Sequence, residues 1–228
     1  MKTLLITGAS KGLGYHCKKY FEDIYNVITY EGREDIDFND LEALELDINE
    51  TILKCKINKV IHCAGGGFGL KDDLISKDDL QILLNVNLIV PIIINNAVLP
   101  EMLINKEGNI VHIISTAARF ASASLGYTIA KAGLMAYVRT LGRKLAKYNV
   151  VMTGIIPGTF ISKDNNWDRY IKEQPEWLDD FIKERCPKGR LGNVEEIIPL
   201  IEFLLSDKAT MMNGCCVPID GGEGVTFP

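Results

Sequence analysis

Three residues near the middle of this 228-residue sequence have the types and spacing to move a proton: Ser115, Tyr127 and, four positions later, Lys131. On a helix, residues four apart share a face, so the Lys131 ammonium can reach past the Tyr127 ring toward a common ligand. A positive charge beside a phenol favours its ionised form. This predicts a Tyr127 pKa pulled down from about 10 toward working pH, which makes it a usable general acid.

A second constellation opens the chain. Thr7-Gly8-Ala9-Ser10-Lys11-Gly12-Leu13-Gly14 follows the apolar run Thr3 to Ile6. A glycine-rich turn between a strand and a helix offers backbone N–H groups and the positive helix end to a pyrophosphate. Gly8 permits the tight turn, Gly12 the approach of a ligand, and Gly14 close helix packing. The spacing G-x-x-x-G-x-G differs from the G-x-G-x-x-G of the general dinucleotide fingerprint.

Short apolar runs alternate with longer helical patterns. Strands are expected at Thr3 to Thr7, Asn26 to Tyr30, Ala43 to Leu46, Lys59 to Cys63, Asn109 to Ser115, Val150 to Ile156 and Cys215 to Ile219. Most are continuously apolar, as strands covered on both faces are. Helices are expected near Gly12 to Ile24, Lys77 to Met102, Tyr127 to Tyr148, Trp177 to Arg185 and Val194 to Leu205, with at most one turn at Asp40 to Leu44. The alternation implies an α/β fold: one Rossmann-like domain over 1–228, a doubly wound parallel sheet with helices on both faces. Ligands of such sheets sit at the carboxyl ends of the strands, where Ser115 falls. The irregular stretch 159–190, with both tryptophans, reads as a substrate-binding loop or lid.

Composition narrows the classes. With 25 basic and 30 acidic residues, the net charge is -5, and no basic run stands out to attract nucleic acid. The apolar stretch Leu88 to Val98 is interrupted by Pro91, Asn95 and Asn96, too short and polar to span a bilayer. No signal-peptide pattern follows Met1-Lys2. The six cysteines form no CxxC pair, and the three histidines lie at no ligand-like spacing to them, so reduced thiols, no metal and a cytoplasmic location are expected.

Taken together, these residues resemble the short-chain dehydrogenase/reductase family along essentially the whole chain. TGASKGLG resembles its cofactor-binding turn, with Ser10 and Leu13 included, and His62-Cys63-Ala64-Gly65 its N-N-A-G strand end. Asn85-Val86-Asn87-Leu88 resembles the segment holding a catalytic asparagine, and Ser115, Tyr127 and Lys131 match the rest of the catalytic set. Ile156-Pro157-Gly158 resembles the turn beside the nicotinamide, and Ser162 stands where a threonine often meets the carboxamide. Three departures stand out: Cys63 and His62 replace the asparagines, the loop from Ser115 to Tyr127 is one residue short, and Glu31 to Asp47 is short enough to reduce a flanking helix to a turn.

The resemblance implies an NAD(P)H-dependent carbonyl reductase or alcohol dehydrogenase acting on a small carbonyl or alcohol. Tyr127 would donate the proton, Ser115 bond the substrate oxygen, Lys131 hold the ribose, and Asn87 position a relaying water. It further implies a homodimer or homotetramer. Lys11 and Gly32-Arg33 favour NADP(H), while Glu31, on a one-residue shift, would act as an NAD-type carboxylate; Asp47 resembles the residue contacting adenine. The alternatives are a non-catalytic dinucleotide-binding regulator or scaffold, and a related epimerase or dehydratase.

Overall fold

The computed structural model describes residues 1–31, 37–120, 122–162 and 165–225. Among these, strands β1 (Thr3–Thr7), β2 (Asn26–Tyr30), β3 (Lys59–His62), β4 (Gly108–Ile113), β5 (Val150–Pro157) and β8 (Cys216–Ile219) form one sheet in the order β2-β1-β3-β4-β5-β8. Every pairing is parallel. The chain runs outward from β1 to β2, then returns to place β3 on the other side of β1. The carboxyl ends of β1 and β3 are therefore the switch point at which a ligand crevice opens.

Helices cover both faces. Against one lie α1 (Gly12–Phe21) and α8 (Ile198–Leu205), burying Leu4, Ile6, Ile61, Val111 and Ile155. Against the other lie α2 (Leu41–Lys54), α4 (Val90–Asn105) and α5 (Leu125–Leu145), over Leu5, Val60, Ile110 and Met152. The remaining elements are α3 (Lys77–Leu84), a pair of two-residue strands β6 (Phe160–Ile161) and β7 (Gly192–Asn193), and helices α6 (Asn166–Glu173) and α7 (Pro175–Arg185) between them.

Two expectations fail around α2. Ala43 to Leu46 is not a strand, and the helix is not a single turn: both fall within the 14 residues of α2. Asp40 starts it by accepting from the Ala43 N–H at 3.0 Å. Leu41, Leu44, Ile48 and Ile52 then recur at three- and four-residue spacing, and Leu44 and Ile48 are fully buried.

The membrane expectation needs a different basis. Lys77 to Asn105 is helical over 29 residues, and its most apolar 18-residue window has mean hydropathy 2.0, enough by length to cross a bilayer. Asn85–Ile89 adopts a π-helical turn that carries the helix into Pro91, and Asn95 is buried with partners rather than breaking it. Ile94, Val98 and Met102 pack into the core, so this is a core helix of the sheet layer.

Polar side chains inside this layer meet one another, although His62 Nδ1 and His112 Nδ1 have no hydrogen-bond partner among the described residues. On the α8 side, the buried Lys59 ammonium donates to Asn109 Oδ1 at 2.8 Å and to the Leu205 carbonyl, while Asn109 Nδ2 reaches the Leu204 carbonyl. They satisfy the last carbonyls of α8. On the other side, His62 and His112 lie side by side in register, rings stacked 4.5 Å apart. The Asn95 amide joins their Nε2 atoms at 2.9 and 3.3 Å and meets the Tyr137 hydroxyl at 3.2 Å. This network rebuilds the support that the missing asparagines would give the central strands.

Burial pushes the His62 imidazole down to about 4 and holds His112 well below its ordinary value, with the neighbouring ring and Lys131 adding repulsion. The unfolded chain takes up protons near pH 6.5 while the native pair does not, so stability falls as pH drops from about 6.5 toward 4. By pH 5 the loss from His62 is about 2 kcal/mol, and His112 adds to it in the same direction. Urea unfolding at pH 7.5 and 5 measures it. A His62→Asn, His112→Asn double variant flattens that pH dependence; an equally steep dependence in the variant would refute the assignment.

Candidate active site

β1 delivers Gly8 against the end of β3. The Gly8 N–H bonds the Tyr30 carbonyl at 2.7 Å, and a Cβ on Gly8 would sit 2.7 Å from Ala64 backbone atoms. Gly8 also has φ +68°, in the left-handed region, so two independent reasons require glycine. Thr7 Oγ1 accepts from the Ala64 N–H at 3.1 Å, locking the two strand ends together. A Cβ on Gly14 would lie 2.1 Å from the Gly8 carbonyl oxygen, which is why α1 can start so close behind the turn. Lys11 is the exposed N-cap residue and supplies no side-chain cap, so the first N–H groups of α1 stay available to an anion.

The β3 end passes from Ala64 into Gly65, where a Cβ would meet Asn87 Oδ1 at 2.7 Å and Lys131 Nζ at 3.1 Å. Sequence-distant site residues thus converge here. Asn87 lies in the π-helical turn, fully buried, but its side chain is spent on protein: Nδ2 donates to the Gly66 and Leu83 carbonyls at 3.0 and 2.9 Å, and Oδ1 accepts from the Gly66 N–H at 3.0 Å. Its backbone carbonyl has lost its α-helical donor, since the residue four on is Pro91.

Ser115 follows β4, and its hydroxyl oxygen accepts from the Ala117 N–H at 3.1 Å. Ser115 also faces the Tyr127 side chain and favours its ionised form. Lys131 sits one turn along α5, buried, with Nζ 5.7 Å from the Tyr127 ring centre and 2.8 Å from the Ile113 carbonyl.

The electrostatics correct one expectation. Burial raises the Tyr127 pKa, and Ser115 offsets this only in part. Lys131 does not pull it down, because the ammonium is aimed at Ile113 and is itself lowered to about 8 by burial. A phenol buried this deeply holds its proton.

Pro157 ends β5, and Gly158 is pressed against Asp220, where a Cβ would come within 2.7 Å of Asp220 and of Glu223. Ser162 follows β6, 5% exposed, its Oγ 3.6 Å from where a Gly12 Cβ would be. That Oγ has no hydrogen-bond partner among the described residues. With the uncapped α1, the bare flank of Gly12 and the cleft at Gly65, it fits a diphosphate-bearing nicotinamide nucleotide, which these residues would hold.

The structure places one cofactor candidate away from where the sequence put it. Asp47 is not at a strand end; it lies on the exposed side of α2, where its carboxylate meets the Tyr30 hydroxyl. Arg33 lies outside the described residues. Glu31 directly follows β2: its carboxylate pairs with Lys18 at 2.8 Å, and its carbonyl accepts from Ser10 Oγ at 3.3 Å. Sequence reading missed Glu223, whose carboxylate accepts from the Thr159 N–H at 2.6 Å and from its hydroxyl at 2.9 Å, fastening the C-terminal segment to the end of β5. No short-range signal marks a bond spanning 64 positions.

A family model described as enoyl-(acyl carrier protein) reductase matches residues 35–223. The chain is 26% identical to the 3-oxoacyl-(acyl-carrier-protein) reductase of Thermotoga maritima, over 97% of both chains. It is 25% identical to a 4-hydroxyisoleucine dehydrogenase solved with NADH, covering 98% of each chain with a TM-score of 0.83. The fold also matches, at 22% identity and TM-score 0.84, a 3-oxoacyl (acyl-carrier-protein) reductase of Agrobacterium tumefaciens, over 97% of this chain and 93% of that one. On this match and this site, the chain belongs to the short-chain dehydrogenase/reductase family and is an NAD(P)-dependent oxidoreductase.

Proposed function

We propose that this enzyme interconverts a carbonyl and the corresponding alcohol of a small molecule, with Tyr127 as general acid in reduction and general base in the reverse. The observation that carries this reading is that Ser115 and Lys131 both lie against the buried Tyr127, Lys131 with its Nζ 5.7 Å from the ring centre. The bound nucleotide supplies or receives the hydride. Tyr127, held protonated by burial, gives its proton to the substrate oxygen, and Ser115 bonds that same oxygen as charge develops on it. Lys131 holds the nucleotide's ribose and anchors Tyr127 from one turn away. The Asn87 carbonyl, deprived of its helical donor by Pro91, takes the water-positioning role rather than the Asn87 side chain, which is committed to Gly66 and Leu83.

For the nucleotide, Glu31 weighs for NAD(H) against the contrary reading of Lys11 and Arg33. A carboxylate at the end of β2, beside Ser10 of the glycine turn, accepts a ribose hydroxyl and repels a 2′-phosphate. Residues 159–190 act as the lid: Trp167, Trp177 and Phe181 form an aromatic cluster over Leu178, Cys186 and Leu191, a small core separate from that of the sheet. The enzyme is cytoplasmic and works as a homodimer or homotetramer paired through its long helices and C-terminal segment, which light scattering checks.

Tyr127→Phe lowers kcat about 100- to 10,000-fold, the range of a lost general acid, while NADH affinity stays within about twofold. Turnover of a ketone and aldehyde panel by the variant at the wild-type rate would refute the role. At equal concentration NADH raises Tm more than NADPH, and Glu31→Ser narrows or reverses the difference; a larger shift with NADPH in the wild type would overturn the preference.

A further inference from the structure

Under α6 and beside the first turn of α1 lies a cavity of about 420 Å³, lined by His16, Ser162, Asp168, Lys172, Asn193 and Glu195. Two buried polar atoms in its lining have no hydrogen-bond partner among the described residues: His16 Nε2 and Ser162 Oγ. Buried polar atoms are nearly always paired, so two in one cavity, from elements 146 positions apart in sequence, mark a ligand-sized polar gap.

The chemistry of the gap selects an anion. His16 lies four residues after Gly12, on the same face of α1, and helical side chains lean back toward the N-terminus. The imidazole therefore covers the turn whose N–H groups lack a side-chain cap. Ser162 Oγ lies 3.6 Å from where a Gly12 Cβ would be, and it and the ring line the same cavity. The two acids on the wall each face a base: Glu195 lies 3.6 Å from His16 Nδ1, and Asp168 2.8 Å from Lys172. Glu195 thus holds one nitrogen of the ring and leaves the other for the cavity. What stays unanswered is the positive end of α1.

We propose that His16 and Ser162 form a second clamp on the diphosphate of the bound nucleotide, facing the glycine turn from the side of the lid. His16 is a positioning residue here. With Nδ1 facing Glu195, the ring's Nε2 donates to a phosphate oxygen, and the Ser162 hydroxyl donates to the diphosphate from across Gly12. This rests on the nucleotide-binding reading above.

The test is calorimetric titration of the full-length protein with ADP-ribose, which carries the diphosphate but no reactive ring, with adenosine followed by NMR as the phosphate-free control. His16→Leu, which fills the same space without polar atoms, weakens ADP-ribose about tenfold or more, the scale of a lost hydrogen bond to a charged group. Adenosine affinity is unchanged within about twofold, and His16→Lys recovers most of the loss. In turnover, His16→Leu raises the nucleotide KM and leaves kcat within about threefold. Ser162→Ala, a one-atom deletion that keeps the fold, weakens ADP-ribose at least about threefold and decides the matter if His16→Leu does not fold. ADP-ribose binding within twofold of wild type in either folded variant overturns the clamp. If the wild type binds neither ADP-ribose nor NADH, the nucleotide reading itself has failed.

Discussion

The contact on which the rest of this molecule depends is that between the ends of β1 and β3. Gly8 lies against Ala64 so closely that a single methyl group would strike backbone, and Thr7 Oγ1 holds the Ala64 N–H across the gap. This approach sets where α1 begins, because Gly14 must in turn clear the Gly8 carbonyl. It also sets where Gly65 lies, and Gly65 has Asn87 and Lys131 directly above it. The glycine turn and the proton-transfer residues are parts of one packing arrangement, although 119 positions separate Gly12 from Lys131. A side chain at Gly8 would move both.

Burial governs the chemistry of that arrangement more than charge pairing does. Lys131 would be a strong cation at the surface; inside, it is lowered to about 8 and tethered to the Ile113 carbonyl. Tyr127 moves the other way and keeps its proton. Desolvation penalises each charged form, so it raises the phenol and lowers the amine, and the two move apart. The free enzyme therefore rests with the phenol protonated, the form that carbonyl reduction consumes.

Much of this was legible in the sequence where a local signal existed. The strands at Thr3, Asn26, Lys59 and Val150 are continuous apolar runs and fall where expected within a residue or two. The convergence of Gly65, Asn87, Ser115, Tyr127 and Lys131 follows from chain order plus the geometry of a parallel sheet. Legibility failed where two periods competed. Ala43 to Leu46 reads as a short strand in a five-residue window, yet over Leu41 to Ile52 the spacing is helical, and the longer period wins because it buries Leu44 and Ile48 together. The direction of the Tyr127 shift was not legible, because spacing gives proximity to Lys131 but not the depth at which both lie. Nor were the pairings of Glu223 with Thr159 and of Asn95 with two histidines, which join elements far apart in sequence.

The histidine pair shows how the departures from the family pattern fit the same constraint. Replacing the asparagine at position 62 by a larger ring would overfill a site between β3 and α4 unless the neighbour on β4 could lie flat against it. His112 does so, at a ring separation of 4.5 Å. One amide, Asn95, faces both Nε2 atoms, with an oxygen for one ring and an N–H for the other. A carbonyl oxygen needs a donor and an N–H needs an acceptor, so the rings take opposite tautomers, and flipping the amide only exchanges them. A proton added to the ring that accepts from the amide would break that bond, and a proton on either ring would set a positive charge near Lys131, whose field already lowers both imidazoles. The network that carries the central strands is therefore built to stay neutral beside the Lys131 ammonium.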